Sequence, residues 1–509
     1  MAISGGQVFT VISNPVILCT AALTTVVFYS LVSRSSRSKL PPGPKRLPII
    51  GNAHQIPQKS GWLVFSDWSK KYGDIIHIDA LGQPIIVINS AKVAQDLLDN
   101  RSTIYSDRPV LQMASLCGYA RSFTLIPYGE EWRKQRRILA QEFTLSNCTQ
   151  YHNLQNEGAR TLVQKIIENP EQALAQVKLQ LGIIIVRSTY GYEIKSVDDP
   201  ILTKPLTALE NFAKAAAPGN FLVDFIPWLK HIPPYFPGTG FLQTAKEWKQ
   251  VLDDSAYEPF RFSKDNLHNG KASMPNLCGN YLLAEASTWS KEDEERLMWA
   301  GVTIMGGALD TTTSVYMSFL LAMILNPDVQ KKAQAEIDDV LGTGRLPSVS
   351  DRADLPYLRS IIVETLRWAP PLPLGIPHAS TQDDEYNGLF IPKGSLILAN
   401  IWHMLHDSST YQNPMDFSPD RYNGNDIEMK KVKDVVFGFG RRVCPGMHFA
   451  QSTLFAAVAT TLATCVILPG LDEDGKEIIP KVAFTHDTIS FPQKFKLRLL
   501  PRSDKASLL

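Results

Sequence analysis

The chain has 509 residues, 44% of them hydrophobic, with 51 Lys and Arg set against 50 Asp and Glu for a formal net charge of +1 at pH 7. That length supports a large core, and the balanced charge gives no global case for nucleic-acid binding. Six scattered cysteines without a CxxC pair argue against a secreted disulfide scaffold and against a zinc site.

Taken in chain order, Val8 to Val32 is uncharged and mostly apolar, long enough to cross about 30 Å of hydrocarbon. Thr, Ser and Asn residues and Pro15 dilute it. Arg34, Arg37, Lys39, Lys45 and Arg46 follow at once, which by the positive-inside rule puts the remainder in the cytosol. The charges lie after the apolar run, and no clear small-x-small cleavage site precedes them, so residues 1–33 read as an uncleaved anchor rather than a signal peptide. The expected location is the endoplasmic reticulum membrane, single-pass, with the catalytic domain cytosolic. The sequons at Asn100 and Asn147 matter only if that region enters the lumen, which this topology excludes.

Residues 34–50 form a basic, proline-rich linker, with Leu40-Pro41-Pro42-Gly43-Pro44 stiffening it into an extended spacer. Residues 51–509 carry no Pro/Gly-rich break, internal repeat or low-complexity segment and read as one domain. It opens with short β-like runs at Ile75–Ile78 and Pro84–Ile88, is mostly helical thereafter, and returns to β at Ser395–Ala399 and around Phe495 to Leu500. The expected fold class is mostly α with a minor β-sheet.

Within that body, Trp132 and Arg136 are spaced i to i+4 on one helix face. The longest helix starts at the N-cap Ser290, with Glu292, Asp293, Glu294 and Glu295 in its first turn, and stops at Asn326-Pro327. That is about 36 residues, roughly 54 Å. A second membrane span is the rival reading, and the central polar block Asp310-Thr311-Thr312-Thr313-Ser314 argues against lipid exposure. Gly306 and Gly307, followed by that threonine run, are poor helix formers. Small residues let a flat group approach the backbone, and Thr hydroxyls can interrupt the helix ladder and leave room for water. An acid beside an alcohol can relay protons to a bound ligand. Glu364 and Arg367, at i and i+3, share a face of a helix-like run from Leu358 to Trp368. As a lone pair they would be an ordinary surface ion pair.

The most informative stretch is Phe437-Gly438-Phe439-Gly440-Arg441-Arg442-Val443-Cys444-Pro445-Gly446. It holds one cysteine in a glycine-bounded loop before a helix-like run from Met447 to Leu462. Loop N–H groups and the helix N-terminus favour the thiolate, the form that binds metal. A haem iron bound by Cys thiolate is arranged to favour O–O cleavage.

That stretch resembles the haem-binding loop of the cytochrome P-450 family, with Phe437, Gly440, Arg442, Cys444 and Gly446 at the fixed positions. Three further motifs occur in family order. Trp132-x-x-x-Arg136 is similar to the family's propionate-binding helix. Gly307, Asp310, Thr311 and Thr312 are similar to its oxygen-activation motif, with Ala308 departing from the usual second Gly. Glu364-x-x-Arg367 with Arg421 resembles its buried structural network, with Asp420 and Tyr422 in place of the commoner Glu and Phe. The Pro-rich stretch at 41–44 also resembles the hinge of microsomal members.

The resemblance implies the cytochrome P-450 fold and a membrane-anchored haem-thiolate monooxygenase. Cys444 would be the axial ligand of haem b. Phe437, Trp132, Arg136, His378 and Arg442 would contact the cofactor. Thr311 would donate to the iron-bound oxygen, and Asp310 would feed protons in. His448 reads as structural rather than as an iron ligand. No phosphate-binding glycine loop follows a strand and no flavin domain follows the haem loop. NADPH electrons are therefore expected through a separate NADPH–cytochrome reductase, with cytochrome b5 as a further donor. Lys430, Lys431 and Lys433, with Arg133, Lys134 and Arg137, are the expected docking face.

Pro373–His378 and Gly438–Arg442 are similar to fungal secondary-metabolism members of the O-methylsterigmatocystin oxidoreductase type. This implies an apolar polycyclic or terpenoid substrate. The expected pocket walls are Ile304, Gly307, Ala308, Leu372–Ile376, Met113–Arg121 and Phe484–Thr488. Desaturation, C–C cleavage and O2-independent rearrangement are the alternatives on the same fold. A haem-binding sensor or electron carrier is the alternative without turnover.

Overall fold

The computed structural model describes residues 39–217, 220–272, 275–284, 290–342, 344–502 and 504–509. The expected anchor and residues 34–38 of the linker lie outside them. The principal helices are α1 (Gly61–Tyr72), α2 (Glu130–Glu142), α3 (His152–Glu168), α4 (Ala173–Tyr190), α5 (Pro200–Ala216), α6 (Gly240–His268), α7 (Lys291–Leu325), α8 (Pro327–Leu341), α9 (Pro356–Trp368), α10 (Asp426–Val436) and α11 (Met447–Thr464). The strands are β1 (Ile75–Ala80), β2 (Gln83–Ile88), β3 (His378–Ala379), β4 (Asp384–Tyr386), β5 (Leu389–Ile391), β6 (Leu396–Ala399), β7 (Cys465–Leu471), β8 (Glu477–Ile478) and β9 (Leu497–Pro501). The protein is mostly helical with minor sheets.

Helix α7 forms because both ends are specified locally. Ser290 Oγ accepts from Asp293 N, and Asp293 Oδ2 accepts from Ser290 N, a reciprocal capping box. Asn326 ends the helix, and Pro327, which has no N–H to offer, opens α8. Between these ends α7 packs against α2, α4, α6, α9 and α11. It is long and apolar enough to cross a membrane, yet most of that apolar stretch is buried inside the protein, so it is a core helix.

Strands β1, β2, β6 and β3 form one sheet in that order, with β2 and β6 parallel and the outer pairs antiparallel. In register, Ile75 faces Ile88 and Ile86 faces Ile397, and Ile86 and Ile397 are fully buried. β4 and β5 make a hairpin, and β7 sits between β8 and β9.

The described part of the linker is not a free spacer. Pro42 O accepts from His77 N at 2.9 Å, and Lys39 O accepts from Phe390 N at 3.0 Å. The fully buried Asn52 donates to Pro44 O and Lys45 O, both at 3.1 Å. A domain boundary near residue 50 therefore falls inside a docked strap. Two helices carry internal prolines that sequence patterning does not announce, Pro205 in α5 and Pro259 in α6, and both are buried.

Candidate active site

The Cys444 loop starts where α10 stops. Gly440 has φ +57°, and a Cβ there would lie 2.0 Å from Leu98 O, so the position requires glycine for conformation and for space. Gly440 N donates to Asp99 Oδ1, and Cys444 N donates to Phe437 O at 2.8 Å, closing the loop. Cys444 is a free, partly exposed thiol, while the other free cysteines among the described residues are buried. Desolvation pushes its thiol upward, and the Gly446 N–H and the Arg136 charge pull it back only in part. The Gly446 N–H thus acts in the direction expected of the loop, against the larger effect of burial. A cation bound at sulfur supplies what is missing, since a coordinating thiol is deprotonated outright.

Helix α2 stands beside the loop. Arg136 donates to Val443 O at 2.5 Å. Trp132 stacks on Phe123 with ring centroids 5.5 Å apart, and the Arg442 guanidinium lies 4.7 Å from the Trp132 ring. The Trp132 Nε1 donor is buried without a partner, an arrangement that ordinarily marks a ligand or a functional constraint. Arg442 donates to Ser106 O, Phe123 O and Ile126 O at 2.8, 3.1 and 2.6 Å, so it also ties the loop to the 106–126 segment.

Arg108 is a residue that motif reading missed. It is buried and donates to Thr124 O, Ile376 O and Pro377 O at 3.1, 2.8 and 2.6 Å. Nothing periodic marks Asp107-Arg108-Pro109, and only long-range packing brings it here. Burial and the Arg442 charge hold its guanidinium well below the usual range. Asp107 raises both Arg108 and Arg442 and is the only carboxylate that does so. A doubly anionic group suits this cationic end.

His378 is buried, with Nδ1 2.8 Å from Tyr105 O. A carbonyl partner requires Nδ1 to be the protonated nitrogen. Burial, then the Arg108 charge, pushes the imidazole down to about 3. Neutral His378 therefore offers Nε2 as an acceptor and can serve a carboxylate only when that carboxylate's charge draws a second proton on.

The polar stretch of α7 lies midway along the helix. An added Cβ at Gly307 meets nothing within 4 Å, so the backbone there borders open space. The helix is unbroken, contrary to the expected interruption. Thr311 Oγ1 donates to Gly307 O at 2.7 Å and Thr313 Oγ1 to Leu309 O at 2.8 Å, each back-bonding without opening the ladder. Asp310 Oδ1 pairs with Lys178 Nζ of α4 at 2.9 Å, a partner no local spacing indicated.

Glu364 and Arg367 are fully buried. Glu364 accepts from Arg367 Nε at 2.8 Å and Nη2 at 2.9 Å, from Arg421 Nε at 3.0 and 3.1 Å, and from Ser418 N at 2.9 Å. Tyr422, where the commoner residue is Phe, adds a hydroxyl at 2.8 Å. Arg367 in turn donates to Leu405 O, Pro414 O and Asp416 O. The cluster packs α9 to the segment before α10 and touches no open space at Gly307, a structural role.

The expected docking lysines are largely engaged within the chain. Lys430 pairs with Asp434 at 2.5 Å, Lys431 with Glu428 at 2.7 Å and Lys134 with Glu130 at 2.9 Å. Lys433 alone of its run makes no ion pair among the described residues.

Among the described residues no group of three or more His, Cys, Asp or Glu could hold a metal ion. A metal at Cys444 must therefore bring its other ligands with it. A flat macrocycle with two carboxylate arms fits what surrounds the thiol: a lone sulfur, an unpartnered indole N–H, buried guanidiniums and a helix backbone open at Gly307. The residues define a haem-thiolate protein.

The cytochrome P450 family profile matches residues 41–491. Relatives of known name include Cytochrome P450 monooxygenase 105 of Postia placenta, 49% identical over 499 residues, covering 97% of this chain and 96% of that protein. Cytochrome P450 monooxygenase claR of Ampulloclitocybe clavipes is 38% identical over 503 residues, covering 97% and 93%. Cytochrome P450 monooxygenase COX2 of Coprinopsis cinerea is 38% identical over 490 residues, covering 95% and 93%. The chain belongs to the cytochrome P450 family, and it is an enzyme of the monooxygenase class.

Proposed function

We propose that the protein inserts one oxygen atom of O2 into a C–H bond of an apolar natural-product intermediate, terpenoid or polycyclic, in fungal secondary metabolism. The other oxygen atom leaves as water, with two electrons from NADPH delivered by a separate flavoprotein reductase. Bound through Cys444, haem b supplies the oxygen-activating chemistry. The observation that carries this reading is the meeting of the Cys444 loop with Trp132, Arg136, Arg108 and Arg442, whose unpartnered indole N–H and excess positive charge suit the two propionates.

The chain's own residues then have separable tasks. Trp132 and Arg136 orient the cofactor through hydrogen bonds. Gly307 keeps the helix surface low enough for a small ligand. Thr311 moves its hydroxyl proton from Gly307 O toward that ligand, and Asp310 replenishes it. Asp310 is ion-paired with Lys178 through Oδ1, which makes no hydrogen bond, so a water or Thr311 can reach the carboxylate for the transfer. Ile304 of α7 is an apolar wall for a lipophilic substrate.

The enzyme resides on the endoplasmic reticulum membrane with its catalytic body in the cytosol. Exposed Leu222, Trp228, Tyr235 and Phe236, between α5 and α6, support contact with a bilayer. The test is the reduced, carbon monoxide-bound spectrum, followed by NADPH consumption with reductase across a panel of terpenoid and polycyclic substrates. A strongly red-shifted Soret band with substrate-dependent NADPH use and an oxygenated product is the expected result. A band typical of His-ligated haem overturns the reading.

A further inference from the structure

A second cavity lies apart from the residues assigned to the cofactor, and it shares Lys433 with the expected docking face. It has a volume of about 350 Å³ and is walled by the segment from Leu145 to Cys148 and by five further elements, α3, the turn Val349–Ala353, α9, α10 and α11. Each of those five contributes one basic side chain: His152, Arg352, Arg359, Lys433 and His448. Asp426 is the only carboxylate on the wall, and it is 2.7 Å from Arg359 Nη1.

The neighbouring carboxylates are also engaged. Asp434 is held by Lys430, Glu428 by Lys431 and Asp351 by Arg345. Arg352 and Lys433 have no ion pair among the described residues, and Arg352 donates only to the amide oxygen of Gln451. Arg359 Nε is buried and without a hydrogen-bond partner. The groups also disfavour one another. Burial, then the Arg352 charge, depresses Lys433, His448 and His152, and burial, then the Arg359 charge, depresses Arg352. Three permanent or near-permanent cations against one carboxylate, in a partly enclosed space, leave an uncompensated positive field. Guanidinium forks match phosphoryl oxygens bidentately, and an ammonium adds a point charge.

We propose that this cavity is a binding site for a small phosphoryl anion of the diphosphate class. The space exceeds a single phosphate, and its cations sit on separate elements, so a ligand with two linked anionic groups engages more of them than one does. Lys433 and His448 belong to the helices that precede and follow the Cys444 loop. An occupied site would therefore brace both ends of that loop and neutralise the charge beside it. This goes beyond the proposed reaction and does not depend on the substrate.

The experiment is a thermal titration of the full-length holoenzyme with inorganic pyrophosphate, against sodium chloride at matched ionic strength. The expected result is a saturable rise in Tm that chloride does not reproduce. Lys433→Gln and Arg352→Gln should each raise the half-saturating concentration about tenfold or more, the loss of one charge-assisted hydrogen bond. Lys433 is half-exposed at the end of a surface helix, so its variant keeps the test valid should Arg352→Gln fold poorly. An equal rise in chloride, or a half-saturation unchanged in Lys433→Gln, overturns the proposal. The haem spectrum of the same samples reports separately on Cys444.

Discussion

Lys178 Nζ lies 2.9 Å from Asp310 Oδ1 and bridges α4 to the middle of α7. The acid beside Thr311 is thus held by a cation from another helix, while the Thr311 hydroxyl is turned onto Gly307 O. In this arrangement the Thr311 hydroxyl must leave Gly307 O before it can move a proton outward, while Asp310 Oδ1 is ion-paired but without a hydrogen-bond partner. Thr311→Ala should retain the haem spectrum but divert NADPH into peroxide, with product formed per NADPH falling by about a hundredfold, the lower end of a general-acid contribution. An unchanged product yield per NADPH would count against the proton role. Lys178→Met, which frees Asp310 without removing it, should alter the solvent isotope effect on turnover and leave haem content intact.

Cys444→Ala removes the only partly exposed thiol among the described residues. The carbon monoxide complex should lose its red-shifted Soret band, and activity should vanish. Retention of that band would assign the axial ligand elsewhere.

Gly440→Ala tests the loop without touching sulfur. The φ of +57° costs about 1 kcal/mol for a residue with a side chain, and the added methyl would sit 2.0 Å from Leu98 O. The loop must shift, so haem occupancy of the purified protein should drop several-fold. Full occupancy with a normal spectrum would show that the close approach is dispensable.

Glu364 accepts from two guanidiniums and a phenol while fully buried. Glu364→Gln should destabilise the fold by about 3–5 kcal/mol because buried positive charge loses its partner. Tyr422→Phe removes one hydroxyl bonded to a charged group and should cost about 1.5–3 kcal/mol. Urea unfolding of both variants gives the two figures, and a smaller effect for Glu364→Gln than for Tyr422→Phe would refute the charge account.

His406 provides a pH test away from the site. It stacks on Trp402, its Nδ1 lies 2.8 Å from Trp402 O, and burial pushes its imidazole down to about 3. Between its unfolded value near 6.5 and that depressed value, the unfolded chain binds a proton that the folded chain refuses. The stability contributed by keeping it neutral is complete above pH 6.5 and is lost as pH falls toward 3, at up to about 1.4 kcal/mol per pH unit. His406→Gln should flatten the slope of unfolding free energy between pH 4 and 6.5 by one proton. An unchanged slope would mean that His406 is accessible to protons in the folded state.

Much of this was legible in the chain because the signals are local. Ser290 and Asp293 lie three residues apart, so the start of α7 could be read before its packing was known. The glycines around Cys444 announce a tight turn in the same way, as do Glu364 and Arg367 one helical turn apart. What escaped reading depends on distant backbone. Arg108 is positioned by carbonyls at Thr124, Ile376 and Pro377, and Lys178 meets Asp310 only because α4 crosses α7. Thr311 and Thr313 look like ladder breakers by composition, yet their hydroxyls turn back onto their own helix. Lys430 and Lys431 look like a free basic run until Asp434 and Glu428 are seen one turn away on the same helix.

The docked strap from Lys39 to Asn52 has a mechanical consequence. Its carbonyls at Lys39 and Pro42 are bonded to Phe390 on β5 and His77 on β1, at two different places in the β region. Two points of attachment define a direction where one would leave a swivel. A pull applied at Lys39 is therefore shared between two strands, as a bracket shares its load between two bolts, and reaches them before any helix.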